Sequence, residues 1–167
     1  MPVENKTIQE QTPSQNQEKS FSSELAGKYL TFWLNNEEYG IEILKVKEII
    51  GLMDITRVPR MPEHIKGVLN LRGKIIPVID LKTKFNMGVT EYTEKTCIIV
   101  VYLSQDGQHN MVGILVDAVS EVVDISDQQI EQTPSFNPEI NTEFVMGIGK
   151  TEQNIKILLD IVKAVSF

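Results

Sequence analysis

From Lys28 onward, short runs rich in Val, Ile, Leu, Tyr and Thr alternate with polar turns, the texture expected of an all-β domain. The apolar runs predict strands over residues 29–34, 39–43, 68–71, 74–80, 96–103, 111–116, 121–125, 145–149 and 155–160. Asn35-Asn36-Glu37-Glu38, Arg72-Gly73-Lys74 and the stretch 104–108 have hairpin chemistry, because Asn, Asp and Gly tolerate the positive φ that tight turns demand. Short helical turns fit residues 43–48, 81–85 and 161–166, none long enough to organise a fold. Residues 1–27 are mostly Glu, Gln, Asn, Ser, Thr and Pro. Ile8, Phe21 and Leu25 are too scattered there to set up a period, which predicts a disordered N-terminal tail ahead of a domain spanning 28–167.

The domain repeats itself. Gly40 to Ile50 aligns without a gap on Gly113 to Val123 at an offset of 73 residues, carrying Val46 onto Val119, Glu48 onto Glu121 and Ile49 onto Val122. A second block pairs Gly67 with Gly147, Ile75 with Ile155, Val78 with Leu158 and Asp80 with Asp160 at an offset of 80. Each half, 28–90 and 91–167, has the size of a small five-stranded barrel, a shape that removes exposed edges by closing the sheet. Two packed barrels are therefore expected; a single large sandwich is the alternative with the same local pattern.

Composition narrows the function. Sixteen Lys and Arg stand against 23 Asp and Glu, a formal charge of -7, which opposes attraction to phosphate backbones and argues against nucleic acid as a partner. The one cysteine, Cys97, begins an apolar run, where a thiol behaves as a small hydrophobe. With no apolar leader, no membrane-length apolar run and no disulfide within the chain, the expected compartment is the cytoplasm. Convergent chemistry is missing: the two histidines, His64 and His109, read as surface residues, lack partners at metal-ligand spacing, and support no zinc site. Asp80 and Asp160 recur at one place in the repeat, just after a strand, where capping a helical turn is the ordinary role. Gly147-Ile148-Gly149-Lys150-Thr151 lacks the spacing of a phosphate loop. No catalytic, cofactor or metal residue is expected, and the chain reads as a non-enzymatic binding module.

Two stretches, Glu38 to Ile49 and Ile65 to Leu81, closely resemble the CheW family of chemotaxis coupling proteins, most clearly in Gly67-Val68-Leu69-Asn70-Leu71-Arg72-Gly73-Lys74-Ile75-Ile76-Pro77-Val78-Ile79-Asp80-Leu81. The resemblance runs from Lys28 to Phe167. It implies two intertwined five-stranded SH3-like β-barrels, and an adaptor that binds the regulatory domain of the histidine kinase CheA and the cytoplasmic tip of a chemoreceptor, recruited to receptor arrays at the inner face of the membrane without inserting into it. Partner-facing positions of the family fall on Val46, Glu48, Ile49, Gly67 and Arg72, with Thr96 and Gly113 also matched. Val46 and Ile49 have apolar counterparts in the other half and fit either a core or a contact role, and Gly67 faces Gly147, so backbone geometry is its plainer reading. Arg72 differs: its counterpart is Glu152, and its neighbours change type as well, so this turn was remodelled in one half only. That points to a task such as pairing with a partner's carboxylate. Related readings are a coupling protein of a twitching-motility pathway or the coupling half of a CheV protein; a small oligonucleotide-binding barrel would need a basic groove with exposed aromatics, against a charge of -7 and 7% aromatic content.

Overall fold

A computed structural model describes residues 21–105, 108–133, 143–152 and 154–165. The first 20 residues of the expected tail, the tip of the 104–108 turn and residues 134–142 lie outside the described residues. Residues 21–25, which the pattern assigns to the tail, form a helical turn, α1. Eleven strands follow among the described residues: β1 Gly27–Leu34, β2 Glu37–Glu42, β3 Val46–Gly51, β4 Ile65–Leu71, β5 Lys74–Asp80, β6 Cys97–Gln105, β7 Gln108–Val116, β8 Ala118–Ile125, β9 Ile130–Glu131, β10 Val145–Lys150 and β11 Ile155–Leu159. Two more helical turns, α2 Leu81–Lys84 and α3 Ile161–Ala164, follow β5 and β11. Asp80 accepts the Lys82 N–H at 3.0 Å and Asp160 accepts the Lys163 N–H at 3.2 Å, so the duplicated aspartates cap the duplicated turns.

The strands make two sheets, ordered β8-β1-β2-β11-β10-β9 and β3-β6-β7-β5-β4. With β1 to β5 of the first half matched to β6, β7, β8, β10 and β11 of the second, the two orders are the same, except for the added β9. Each sheet takes its first two repeat strands from one half and the other three from the other half. The halves are thus intertwined, and neither forms a barrel by itself. We call the first sheet barrel one and the second barrel two.

Three apolar clusters fill this frame. Leu69, Leu71, Ile76, Val78, Ile98, Val100 and Leu115 fill barrel two. Tyr29, Ile125, Ile130 and Leu158 fill barrel one. The largest, including Phe32, Ile41, Ile79, Val101, Ile114, Leu159 and Ile161, draws on both sheets and joins them. Alternate residues of β1 and β6 serve a barrel interior or this joint, which is why both strands are rich in consecutive buried apolar residues, as in Ile98–Val101 of β6. Phe21 and Leu25 of α1 pack on the barrel-one cluster, and Tyr29 donates its hydroxyl hydrogen to the Leu25 carbonyl at 2.6 Å. Where the pattern predicts a helical turn over 43–48, the chain makes a single 3-10 turn, Ile43–Lys45, and then enters β3. A bulge between Val46 and Glu48, against Val101 and Val100, is what disguises the strand.

Candidate docking face

β3 is an edge strand of barrel two, paired only with β6. Its residues alternate between half-buried Val46, Glu48 and Ile50 and exposed Lys47, Ile49 and Gly51. Val46 packs against the joint between barrels. Ile49, 45% exposed, points to solvent. Glu48 forms an ion pair with Arg72, which stands in the β4–β5 turn at the opposite edge of the same sheet. The chain after β3 completes the seam: the Thr56 N–H donates to the Val68 carbonyl at 2.8 Å and the Val68 N–H to the Thr56 carbonyl at 2.9 Å. Lys47 lies over the Tyr102 ring at 5.4 Å from its centroid.

The β4–β5 turn has an unusual backbone. Arg72 has φ 50° and Gly73 φ 90°, a two-residue hairpin conformation that favours Asn and Gly, and Asn70 braces it by accepting the Gly73 N–H at 2.7 Å. An arginine held in the left-handed region is a local cost that folding alone does not require.

The seven residues singled out from the sequence separate into two groups. Glu48 and Arg72 meet at the seam of barrel two, and Ile49, next to Glu48 along β3, is exposed. Val46 is half-buried at the base of that edge, and Gly67, Thr96 and Gly113 are enclosed. Gly67 has φ 145°, and a Cβ there would lie 2.1 Å from the Thr56 carbonyl oxygen, so only glycine permits the bridge that closes the seam. The Thr96 hydroxyl accepts the Thr93 N–H at 2.8 Å and donates to the Glu91 carbonyl at 3.3 Å, fixing the entry to β6. A Cβ on Gly113 would lie 2.8 Å from Ile98 Cγ2. These three set backbone geometry behind the face.

Sequence reasoning missed the most exposed large apolar residue among the described residues. Leu44, in the turn leading to β3, is 91% exposed. Its repeat counterpart is Asp117, at the corresponding crossing from β7 to β8, where it accepts the Asn35 N–H at 2.7 Å and pairs with Lys82 at 3.3 Å. One crossing is pinned by charge and the other carries a bare leucine. The comparison between halves that selects Arg72 would have found Leu44 as well. Leu52, Met53 and Met61 are also exposed, so five of the eleven exposed large hydrophobics among the described residues fall within 44–61.

The titratable groups suit binding better than chemistry. Burial raises the Cys97 thiol above its ordinary value, which keeps it protonated, and it packs half-buried against the joint. His64, expected at the surface, is half-buried, and burial together with the nearby Lys84 lowers its pKa, leaving a neutral ring. The His109 side chain lies outside the described residues. Among the described residues no group of three or more His, Cys, Asp or Glu could hold a metal ion. No helix among them is long and apolar enough to cross a membrane.

Residues 28–166 match the model of the CheW-like domain. The chain is 44% identical over 149 residues to the chemotaxis protein CheW of Klebsiella aerogenes, covering 86% of this chain and 87% of that protein. It is 32% identical over 133 residues to chemotaxis protein CheW of Bacillus subtilis, covering 80% and 83%. The crystal structure of the scaffolding protein TtCheW from Thermoanaerobacter tengcongensis superposes with a TM-score of 0.74 at 39% identity, covering 86% of this chain and 94% of that one. An intertwined double barrel with a seam of Glu48 and Arg72, matched along nearly its whole length by scaffolding proteins of chemotaxis, places this chain in the CheW family.

Proposed function

We propose that this non-enzymatic scaffold couples chemoreceptor cytoplasmic tips to the regulatory domain of CheA, in the cytoplasm and at receptor arrays. The single observation carrying the reading is the seam of barrel two, where exposed Ile49 stands beside an Arg72–Glu48 pair held on a strained turn. Arginine is among the residue types enriched in binding hot spots, and its planar guanidinium suits two-point contact with a carboxylate. Arg72 already holds one carboxylate in the free protein, so a partner's carboxylate would join or replace Glu48 without dragging an unpaired charge from water.

Titration of Arg72→Ala against receptor-tip and CheA fragments separately tests this. Affinity for one partner is expected to fall by about 1–3 kcal/mol, roughly fivefold to more than a hundredfold. Thermal unfolding should move by no more than about 0.5 kcal/mol, as for an ordinary exposed change. Normal binding to both partners would sink the assignment of Arg72. A scaffold that works by raising effective concentration also gives bell-shaped kinase activation as its own concentration rises, since excess scaffold occupies each partner separately.

A further inference from the structure

Because both barrels are built from one repeat, every strand has two possible sets of neighbours. β1 pairs with β8, although β3 is the equivalent strand of its own half; β6 pairs with β3, although β8 is its own. The registers are the same in both barrels. Leu30 faces Val122 as Ile99 faces Ile49, and Phe32 faces Val119 as Val101 faces Val46. Across the parallel pairs, Leu158 faces Gly40 as Val78 faces Gly113. Backbone hydrogen bonds therefore cannot distinguish the exchanged fold from one in which each half closes its own barrel.

The side chains can. Barrel one contains a buried polar group that barrel two lacks. Lys156 of β11 and Glu38 of β2 have side chains only 2% and 3% exposed, and their charged atoms are 2.8 Å apart. Glu121 of β8 approaches the same ammonium at 3.6 Å. Thr31 of β1 accepts the Glu121 N–H at 3.2 Å and donates to the Glu121 carbonyl at 3.0 Å. In barrel two the equivalents of Lys156, Glu38 and Thr31 are Ile76, Met111 and Val100, all within or against its apolar cluster. The equivalent of Glu121, Glu48, turns to Arg72 instead. Of the four polar residues in barrel one, two come from the first half and two from the second.

We infer that the buried Glu38–Lys156 pair selects strand exchange: the two charges meet only when β2 of the first half lies beside β11 of the second. Were each half to close on itself, Glu38 would be buried beside Ile76 with no cation, and Lys156, beside Met111, would keep only Glu121, whose side chain is 57% exposed. An unpaired buried charge is far more costly than a paired one, whereas a buried pair contributes little over apolar residues of similar size. The pair thus acts on choice of partner strand more than on stability, as single buried polar residues do in setting coiled-coil register. Exchange in turn makes the two barrels one rigid body, where unexchanged barrels would be joined by a single tether.

The test uses the full chain. Lys28 and Asp124 are opposed across β1 and β8 and both exposed. A parent carrying Lys28→Cys, Asp124→Cys and Cys97→Ser should, after unfolding, refolding and oxidation, close its disulfide within single chains almost completely. Adding Glu38→Met with Lys156→Ile, the residues of barrel two, is expected to give a folded protein in which that fraction drops at least twofold. Crosslinking as complete as in the parent overturns the inference. So does a double variant that fails to fold, since the pair would then be holding the barrel together rather than choosing its strands.

Discussion

Gly67 and Gly147 occupy the same place in the two repeats, and their surroundings differ in kind. Behind Gly67 is rigid backbone, the Thr56 carbonyl that bridges to Val68 and closes barrel two. At Gly147 the nearest atoms are the Glu131 carbonyl and the side chains of Leu25 and Phe21, each 3.2 Å from an added Cβ. The same contrast holds at Asp80 and Asp160. Both cap a helical turn, but buried Asp80 also accepts the Thr90 N–H at 3.0 Å and the Thr90 hydroxyl at 2.8 Å, tying down the chain that leads toward β6. Repetition fixed the backbone plan twice, while one copy of each position acquired an extra structural task. Equivalence in sequence is thus a poor guide to equivalence in energy.

Three measurements would sharpen or break that contrast. Gly67→Ala must open the Thr56–Val68 bridge or distort the strand and should destabilise by at least about 3 kcal/mol in urea unfolding, against about 1 kcal/mol for Gly147→Ala, where the nearest atoms stand back at 3.2 Å and two of the three belong to side chains. Equal losses would mean that the seam is not held by close backbone approach. Asp80→Ala should cost about 3 kcal/mol by stripping several donors of one buried acceptor, and Asp160→Ala about 1 kcal/mol, the worth of a cap. Similar values would show the Thr90 contacts to be idle.

The smallest effect concerns acid. Burial alone would raise the Glu38 carboxyl, but side-chain hydrogen bonds with Lys156, Thr31 and Ser120, together with the Lys156 charge, outweigh it and bring it below its ordinary value of 4.5. A depressed folded value means a contribution to stability that is complete above 4.5 and lost as pH falls through the folded value. Barrel two has apolar residues at both of these positions. Stability measured from pH 6 to pH 3 should therefore fall less steeply in the Glu38→Met, Lys156→Ile double variant than in the parent. Superimposable slopes would place the acid-labile groups elsewhere.

Most of the frame was legible in the sequence, because the duplication and the apolar runs of β1, β5, β6 and β7 speak for themselves. β3 was hidden because Val46, Ile49 and Ile50 have helical spacing, which the bulge at Lys47 accommodates in a strand; its counterpart in the repeat, already read as a strand over 121–125, held the correction. β11 inverts the rule of alternation: Ile155 is exposed and Lys156 buried, since the lysine answers a glutamate on a strand far away in sequence. Phe21 and Leu25 looked idle in a polar segment because the surface they cover, around Gly147, is made by the other end of the chain. In the docking face, Arg72 was visible as a break in the repeat. Leu44 lay inside an amphipathic run, where an apolar residue reads as core.

Strand exchange also sets a timetable for synthesis. The β1–β2 hairpin leaves the ribosome first, yet its partner β11 is made after every other strand. Barrel two can assemble once β7 has emerged, but β1 keeps an open edge until β8 ends at residue 125, and β2 keeps one until β11 ends at residue 159. Pairings this distant in sequence form slowly, and waiting edges invite association with neighbouring nascent chains. A slowed ribosome near the end of the message would therefore expose this protein to aggregation longer than a pause anywhere in the first half.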